Sequence, residues 1–268
     1  MKIKCLKPAC VAIGLIASAS VQAASISSIS VDINFTLADI LVNGTTASPF
    51  DYDPDVVDGG GYFSESYAFG GSGSTTGSST VLLNGNPTAG TDLMQIGDTL
   101  SMSLYAETTS NAGFVNRDQV GEAGFSYLNY TDNGLGDTDI LTFMFNYEVS
   151  YFTSLYNDVN GDQAIGELLT LISIYDYGTG ESTVIDLFPQ NMPGSIQEYH
   201  FGTGEVNASD FITGTFSIDL AGSEGYFIFQ NTLSTPTMVQ PVPVPAAVWL
   251  FGSGLMMLAG LGRKIKSA

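Results

Sequence analysis

Cysteine is scarce in this 268-residue chain, which contains only Cys5 and Cys10, both within the first ten residues. The rest of the chain therefore has no disulfide framework, no thiolate metal site and no cysteine nucleophile. Its stability must come from burial of an apolar core, for which the roughly 220 residues between the two chain ends are sufficient.

Positive charge is equally scarce, because seven Lys and Arg residues stand against 27 Asp and Glu residues. Six of the seven basic residues lie near the chain ends, and only Arg117 lies between Asp32 and Glu224, the span that contains all 27 acidic residues. The formal charge of this central part is therefore −26. A surface this acidic repels nucleic acid and anionic polysaccharide, so no nucleic-acid partner is expected. It suits a solvated surface protein or a protein that holds divalent cations.

Groups for catalysis are few. His200 is the only histidine, and it lies in the strand-like segment 197–201. There is no G-x-S-x-G motif to supply a nucleophilic serine, and the central part has no lysine for a Schiff base. A glycoside hydrolase needs a pair of catalytic carboxylates. With 27 acidic residues in the chain, the presence of such a pair does not distinguish a hydrolase from a protein without activity. We therefore expect a protein that is not an enzyme, with no catalytic residues.

Residues 1–23 have the three-part pattern of a secretory signal peptide. Lys2, Lys4 and Lys7 form a positive start, residues 9–19 form a short apolar run, and Val21-Gln22-Ala23 precede the predicted cleavage point. Ala24 is thus the predicted first residue of the exported protein. The alternative is an uncleaved N-terminal anchor, for which the apolar run is short.

The last 35 residues also have three parts. Residues 234–245 contain several prolines and predict a semi-rigid extended spacer. Residues 246–262 contain no charged side chain and are about as long as the shortest helices that cross a bilayer. Arg263, Lys264 and Lys266 follow, so residues 263–268 are predicted to be a basic tail that stays in the cytoplasm. The alternative is a buried C-terminal helix of a globular domain.

This C-terminal segment resembles the PEP-CTERM sorting signal of Gram-negative bacteria, and most closely its VPLPA variant. The matching motif is Val242, Pro243, Val244, Pro245 and Ala246, followed by the apolar run and then by the basic cluster. Val244 departs from the variant, which usually has Leu there. The resemblance implies recognition by an exosortase, a transient stay in the inner membrane, removal of the helix, and delivery to the cell surface or to an extracellular polysaccharide matrix.

Between the two ends, apolar and polar residues alternate with a period of two, which predicts β-strands. The clearest segments are 29–37, 100–106, 141–151 and 212–220, and the shorter ones are 62–69, 80–83, 124–131, 168–177, 183–188, 196–201 and 226–230. No segment has a convincing helical period. The predicted fold of residues 24–233 is therefore all-β, an antiparallel β-sandwich or jelly-roll-like ectodomain, with one C-terminal transmembrane helix. Residues 70–79, rich in Gly and Ser, are predicted to be a polar loop or hairpin tip.

One loop has the spacing of a calcium site. Asp158, Asn160 and Asp162 repeat the D-x-N-x-D pattern, in which alternate oxygen-bearing side chains converge on one hard cation. Gln163 stands where an EF-hand has Gly, and Leu169 stands where it has the bidentate Glu, so Glu167 would have to serve with a different loop geometry. The alternative is an ordinary Asn-Gly turn between two strands.

Two further acidic loops, and a set of tyrosines, are weaker candidates for binding. The loops carry Asp51, Asp53, Asp55 and Asp58 in one case and Asp132, Asp137 and Asp139 in the other. Exposed tyrosine rings could stack on sugars, although tyrosine is also an ordinary core residue of sandwiches. The candidates are Tyr127, Tyr130, Tyr147, Tyr151, Tyr156, Tyr175 and Tyr177.

Three functions remain in competition at this point. The first is a non-catalytic surface or matrix protein, delivered by an exosortase and associated with exopolysaccharide or biofilm. The second is a calcium-dependent carbohydrate-binding module, and the third is a secreted glycoside hydrolase. The scarcity of catalytic groups favours the first, and the loop at Asp158 favours the second.

Overall fold

A computed structural model describes residues 24–46, 55–61, 64–87, 94–128, 139–176, 180, 182–187, 196–221 and 224–240. Throughout these residues the regular structure is β-strand, without any helix, and all named strand pairings are antiparallel. The prediction of an all-β protein is confirmed. A compact unit extends over Ala24–Val239.

Thirteen strands are described, several of them long. They are β1 (Ser25–Val42), β2 (Thr45–Thr46), β3 (Asp55–Gly61), β4 (Ser64–Leu83), β5 (Asn86–Pro87), β6 (Thr99–Leu128), β7 (Ile140–Asn157), β8 (Gln163–Asp176), β9 (Ser182–Asp186), β10 (Gln197–His200), β11 (Gly204–Ala221), β12 (Glu224–Ser234) and β13 (Thr237–Val239).

Strand β6 connects two groups of strands. Its first part pairs with β1, and from there the order continues through β7 to β11, while its second part pairs with β12, followed by β8 and β10. Strand β4 accompanies β6 on its other edge, β9 pairs with β8, and β13 pairs with both β6 and β8. One 30-residue strand thus belongs to both groups.

The two groups face each other through phenylalanine rings. Phe35 of β1 stacks on Phe229 of β12 with a centroid distance of 4.6 Å and an interplanar angle of 20°. Phe145 of β7 meets Phe229 edge-on at 5.3 Å and 80°. All three side chains are fully buried. The apolar core therefore lies between the β1–β7–β11 strands and the β12–β8 strands.

The period-two pattern of the sequence decides which face of each strand enters this core. In β1 the side chains of Ile29, Val31, Ile33, Phe35 and Leu37 are at most 1% exposed. Leu100, Met102, Leu104 and Ala106 of β6 are buried in the same way. Because successive side chains of a strand point to opposite faces, the Ser, Thr and Asn residues between them form the outer face.

Two Asn-Gly pairs end strands in tight turns. Asn43 and Gly44 join β1 to β2, and Asn84 and Gly85 join β4 to β5. All four residues have positive φ, from 48° to 78°, as the primed hairpin turns require.

Two predicted segments differ from the structure. Residues 72–79, which the sequence assigned to a polar loop, belong to β4 and pair with β6. Gly73 lies so close to the neighbouring strand that a Cβ atom there would be 2.0 Å from the carbonyl oxygen of Thr109. Glycine at this position therefore allows the backbones of β4 and β6 to approach each other. Residues 234–239 do not form part of an extended spacer, because β12 ends at Ser234 and β13 pairs Thr237–Val239 with β6.

The predicted signal peptide (1–23), sorting motif (242–246), transmembrane segment (246–262) and basic tail (263–268) lie outside the described residues. Within the described ranges, the chain has no helix with the length and apolar character needed to cross a membrane.

Candidate functional site

The predicted calcium loop is a tight turn between β7 and β8. Gly161 has a φ of 104°, and the amide of Asp162 donates a hydrogen bond of 3.2 Å to the carbonyl oxygen of Val159. The turn is also tied to the end of β10, because the amide of Gly161 donates to the carbonyl oxygen of Phe201 at 3.3 Å. The backbone therefore forms an Asn-Gly turn between two strands, which was the alternative to an EF-hand-like loop.

The carboxylate of Asp158 already has two partners. Its Oδ1 accepts a hydrogen bond from the hydroxyl of Tyr156, and its Oδ2 accepts one from the backbone nitrogen of Ala24 at 3.2 Å. The amide of Asp158 also donates to the carbonyl oxygen of Ala24 at 3.0 Å. Asp158 therefore holds the residue at which the exported protein is predicted to begin.

Glu167 does not lie with the other three predicted calcium ligands. Asp162 is 1% exposed, whereas Asp158 and Asn160 are exposed. Glu167 lies five residues beyond Asp162 along β8, roughly 16 Å away, and on the opposite face of the strand. Within the part of the chain that the structure describes, no group of three or more His, Cys, Asp or Glu residues could hold a metal ion. Any calcium site at this turn would therefore be built from turn residues without Glu167.

The first prediction concerns calcium. If the turn ligates the ion through Asp158, Asn160 and Asp162, millimolar Ca²⁺ should raise the Tm of the protein. At a hundredfold excess of Ca²⁺ over Kd, the free energy of unfolding should increase by about 2.7 kcal/mol. Mg²⁺ should act less, because it demands a tighter octahedral shell. Differential scanning fluorimetry measures both effects.

Two variants make this measurement specific to the turn. The double variant Asp158→Asn with Asp162→Asn should lose the calcium response, whereas Glu167→Gln should keep it, because Glu167 faces away. An equal calcium response in wild type and double variant would place the ion elsewhere, and no response in wild type would remove calcium from this turn.

The second prediction concerns Ala24. Cleavage after Ala23 would turn the Ala24 nitrogen, 3.2 Å from Asp158 Oδ2, into a charged α-ammonium group and the hydrogen bond into an ion pair. Acetylation of this terminus should lower the Tm, by the equivalent of less than about 1 kcal/mol, as is typical of partly exposed ion pairs.

A double-mutant cycle with Asp158→Asn tests the pairing. Acetylation should have no further effect in the variant, because the carboxylate charge is gone. A loss of stability on acetylation that is the same in wild type and in Asp158→Asn would contradict the ion pair.

Asn157, the last residue of β7, is buried and forms hydrogen bonds with three segments around the turn. Its Oδ1 accepts a hydrogen bond of 2.6 Å from the hydroxyl of Ser25. Its Nδ2 donates to the carbonyl oxygens of Asp162 at 3.2 Å and His200 at 2.9 Å. One amide therefore joins the start of β1, the turn and the end of β10. Sequence reasoning did not single out Asn157, which directly precedes the predicted ligand Asp158.

His200 has a structural partner. It is 9% exposed, and its Nε2 lies 3.0 Å from the carbonyl oxygen of Gly204, to which it donates a hydrogen bond. His200 is therefore a strand residue, as the strand-like segment 197–201 predicts, and its ring is hydrogen-bonded.

The tyrosines proposed for sugar stacking have different positions. Tyr147 and Tyr151 pack against the core, and Tyr156 donates its hydroxyl to Asp158. Tyr130 and Tyr177 lie outside the described residues, and the side chains of Tyr127 and Tyr175 are not described. Among the acidic loops, Asp139 accepts a hydrogen bond of 2.7 Å from Asn43.

A set of three aromatic side chains, two exposed and one half-buried, lies where the sequence did not indicate one. Tyr105 of β6, Ser30 of β1 and Phe152 of β7 occupy one row across the sheet, on its outer side. Phe211 of β11 is paired with Ser150, so it lies diagonally beside Phe152. Phe152 is 48% exposed and Phe211 is 60% exposed. We call this surface, the outer side of β6, β1, β7 and β11 around Tyr105, Phe152 and Phe211, the aromatic face.

The surroundings of these rings are hydroxyl groups and carboxylates. Small polar residues fill the neighbouring positions of the four strands, namely Ser28, Ser30, Asn34, Ser101, Ser103, Ser150, Ser154, Asn207, Ser209 and Thr213. Asp32, Glu107, Glu148 and Glu205 lie among them. The aromatic face thus combines apolar rings, hydrogen-bonding groups and negative charge.

Tyr105 is held in place on this face. Its hydroxyl donates a hydrogen bond of 2.6 Å to Glu107 Oε2. Partial burial, with the hydrogen bond and the charge of Glu107, raises the pKa of Tyr105 to about 12. The phenol is therefore neutral at physiological pH, and its ring has a fixed orientation.

The sequence periodicity did not indicate these rings. Phe152 and Phe211 lie just outside the predicted strand segments 141–151 and 212–220, so neither was assigned to a strand face. Their proximity depends on which strands are neighbours, and the sequence does not contain that order.

Comparison with known proteins does not assign the chain to a family. No family model matches the chain, and no curated protein matches it. A solved structure, the secreted serine protease VesC from Vibrio cholerae, aligns with 78% of this chain and 46% of its own chain at 10% identity, with a TM-score of 0.18. A similarity this low carries no argument about fold or activity.

Proposed function

We propose that this chain is an exported, exosortase-sorted protein of the cell surface or extracellular matrix, non-catalytic and associated with exopolysaccharide. One observation carries the proposal: the compact unit Ala24–Val239 begins at the predicted cleavage point and ends just before the predicted sorting segment. A folded body between a signal peptide and a removable anchor is the arrangement that such delivery requires. The two strand groups pack against each other through Phe35, Phe145 and Phe229. This arrangement favours a β-sandwich for the compact unit.

The surface chemistry supports the same function. A formal charge of −26 between Asp32 and Glu224 keeps the body solvated and away from anionic polymers. The strand faces that point away from the core are rich in Ser, Thr and Asn, which suits a hydrated matrix.

Localisation in the native bacterium tests the proposal. The full-length protein should be recovered from the surface or matrix fraction with Ala24 as its N-terminal residue. Deletion of residues 241–268, or the combined replacement of Arg263, Lys264 and Lys266 by Glu, should abolish normal processing and delivery. Unchanged delivery after both changes would overturn the sorting assignment, and recovery of Met1 would overturn cleavage.

A carbohydrate-binding module is the second candidate. The aromatic face favours it, because apolar rings among hydroxyl groups suit the alternating apolar and polar surfaces of sugars. This observation supports binding of carbohydrate without requiring calcium.

A further inference from the structure

We propose that the aromatic face binds an extended polysaccharide that carries protonated amino groups, such as a partly deacetylated amino-sugar polymer. The inference rests on the proposed function in one respect, because matrix delivery is what brings the protein to such a polymer. It names the surface that makes the contact and the charge of the partner.

The spacing of the rings fits an extended chain of sugars. Tyr105 and Phe152 lie in one row with Ser30 between them, so two strand spacings, about 9.6 Å, separate their backbones. Phe211 is a diagonal neighbour of Phe152, at about 7–8 Å between Cα atoms. An extended glycan presents equivalent sugar faces at comparable intervals. Three separated rings can therefore contact several sugar units, whereas a single small ligand would reach only one or two rings.

The groups between the rings favour sugar over an apolar protein surface. Ser30 separates Tyr105 from Phe152, and Ser150 and Ser209 lie beside Phe211 and Phe152. These hydroxyl groups can donate and accept hydrogen bonds, as sugar hydroxyls do. A protein interface of standard size has a contiguous core of apolar side chains, which this face lacks.

Charge identifies the class of polysaccharide. Asp32 is exposed two residues along β1 from Ser30, and Glu148 is a diagonal neighbour of Phe211. Glu107 and Glu205 lie further along the same face, and Arg117, the one basic residue between Asp32 and Glu224, is outside it. An anionic polymer would be repelled, and a neutral one would leave the carboxylates without charged partners. Ammonium groups complement the carboxylates and also interact with aromatic faces.

The orientation of Tyr105 supports this assignment. Its hydrogen bond to Glu107 fixes the ring before a ligand arrives, so little rotational freedom is lost on binding.

The experiment compares defined oligosaccharides by isothermal titration calorimetry with the mature protein, in a mildly acidic buffer of low ionic strength. A glucosamine hexamer should bind, and the N-acetylglucosamine hexamer should bind at least about tenfold more weakly because it has no charge. Raising the NaCl concentration should weaken binding of the glucosamine hexamer, because the attraction is between exposed charges.

Matched variants separate this face from the charge of the whole protein. Phe152→Ala and Phe211→Ala should each weaken binding about tenfold, whereas Phe201→Ala, at a position 51% exposed on another surface, should leave it unchanged. The pair Asp32→Asn with Glu148→Gln should weaken binding, whereas the pair Glu167→Gln with Glu198→Gln, which removes the same charge from β8 and β10, should not.

Several outcomes would overturn the proposal. Equal losses in the two charge pairs would mean unspecific attraction to an acidic protein, and equal binding of the acetylated hexamer would mean recognition of neutral glycan. Absence of binding, or binding indifferent to Phe152 and Phe211, would exclude the face. A protein that reaches the matrix and does not bind contradicts this inference alone, whereas one that binds and is not sorted contradicts the proposed function alone.

Discussion

Replacing Phe229 by Ala should lower the free energy of unfolding by about 3–5 kcal/mol, the usual cost of removing a buried phenylalanine ring. The side chain is completely buried in β12. It stacks on Phe35 at 4.6 Å and meets Phe145 and Phe227 edge-on at 5.3 and 5.7 Å. A cavity here removes contacts to both groups of strands at once, and neither group can move to fill it without shifting its strands. The effect should therefore lie well above that of an average core substitution.

Urea unfolding and thermal unfolding measure this loss. A decrease of 3–5 kcal/mol corresponds to roughly 6–20 °C in Tm for a domain of this size. Phe201→Ala is the matched control, because it removes the same atoms at a position that is 51% exposed. Its ring stacks on Tyr199, so the change should cost no more than about 1.5 kcal/mol. Equal losses in the two variants would contradict the assignment of Phe229 to the core.

Replacing Asn157 by Ala should cost at least about 2 kcal/mol, because it leaves buried hydrogen-bonding groups without their partner. The side chain is completely buried. It accepts a hydrogen bond from the hydroxyl of Ser25 and donates to the carbonyl oxygens of Asp162 and His200. These groups belong to three different segments, so the loss should loosen the start of β1, the turn and the end of β10 together. Hydrogen exchange should show faster exchange in all three segments.

Asn160→Ala provides the comparison within the same turn. Asn160 is exposed, so its replacement should change stability by less than about 0.5 kcal/mol. A larger effect at Asn160 than at Asn157 would show that the turn is held by its exposed side chains and not by the buried amide.

The strand faces could be predicted from the sequence because their cause is local. Apolar residues alternate in segments 29–37, 100–106 and 141–145, and the structure buries those residues. The Gly- and Ser-rich segment 70–79 had no such alternation, yet residues 72–79 form a strand, because β6 offers a complete edge for pairing. A neighbouring strand can thus override a weak local preference.

The surroundings of the candidate site residues could not be predicted from the sequence, because they depend on contacts between distant segments. The spacing of Asp158, Asn160 and Asp162 indicated a cation, but Asp158 is held by Tyr156 and Ala24, and Glu167 faces the other way. One partner of Asp158, Ala24, lies 134 residues away in the chain, so no local pattern could reveal it. Asn157 was missed for the same reason, since its Ser25 partner lies 132 residues away.

The sequence alone determined the all-β class and the faces of the main strands, since periodicity is a property of consecutive residues. It also determined the charge of the part between Asp32 and Glu224, since composition does not depend on folding. Only the tertiary structure decided that β6 belongs to two groups of strands, that Asn157 joins three segments, and that Tyr105, Phe152 and Phe211 share one outer face. The physical reason is that strand order and register arise from pairing between distant parts of the chain, and short-range patterns do not encode it.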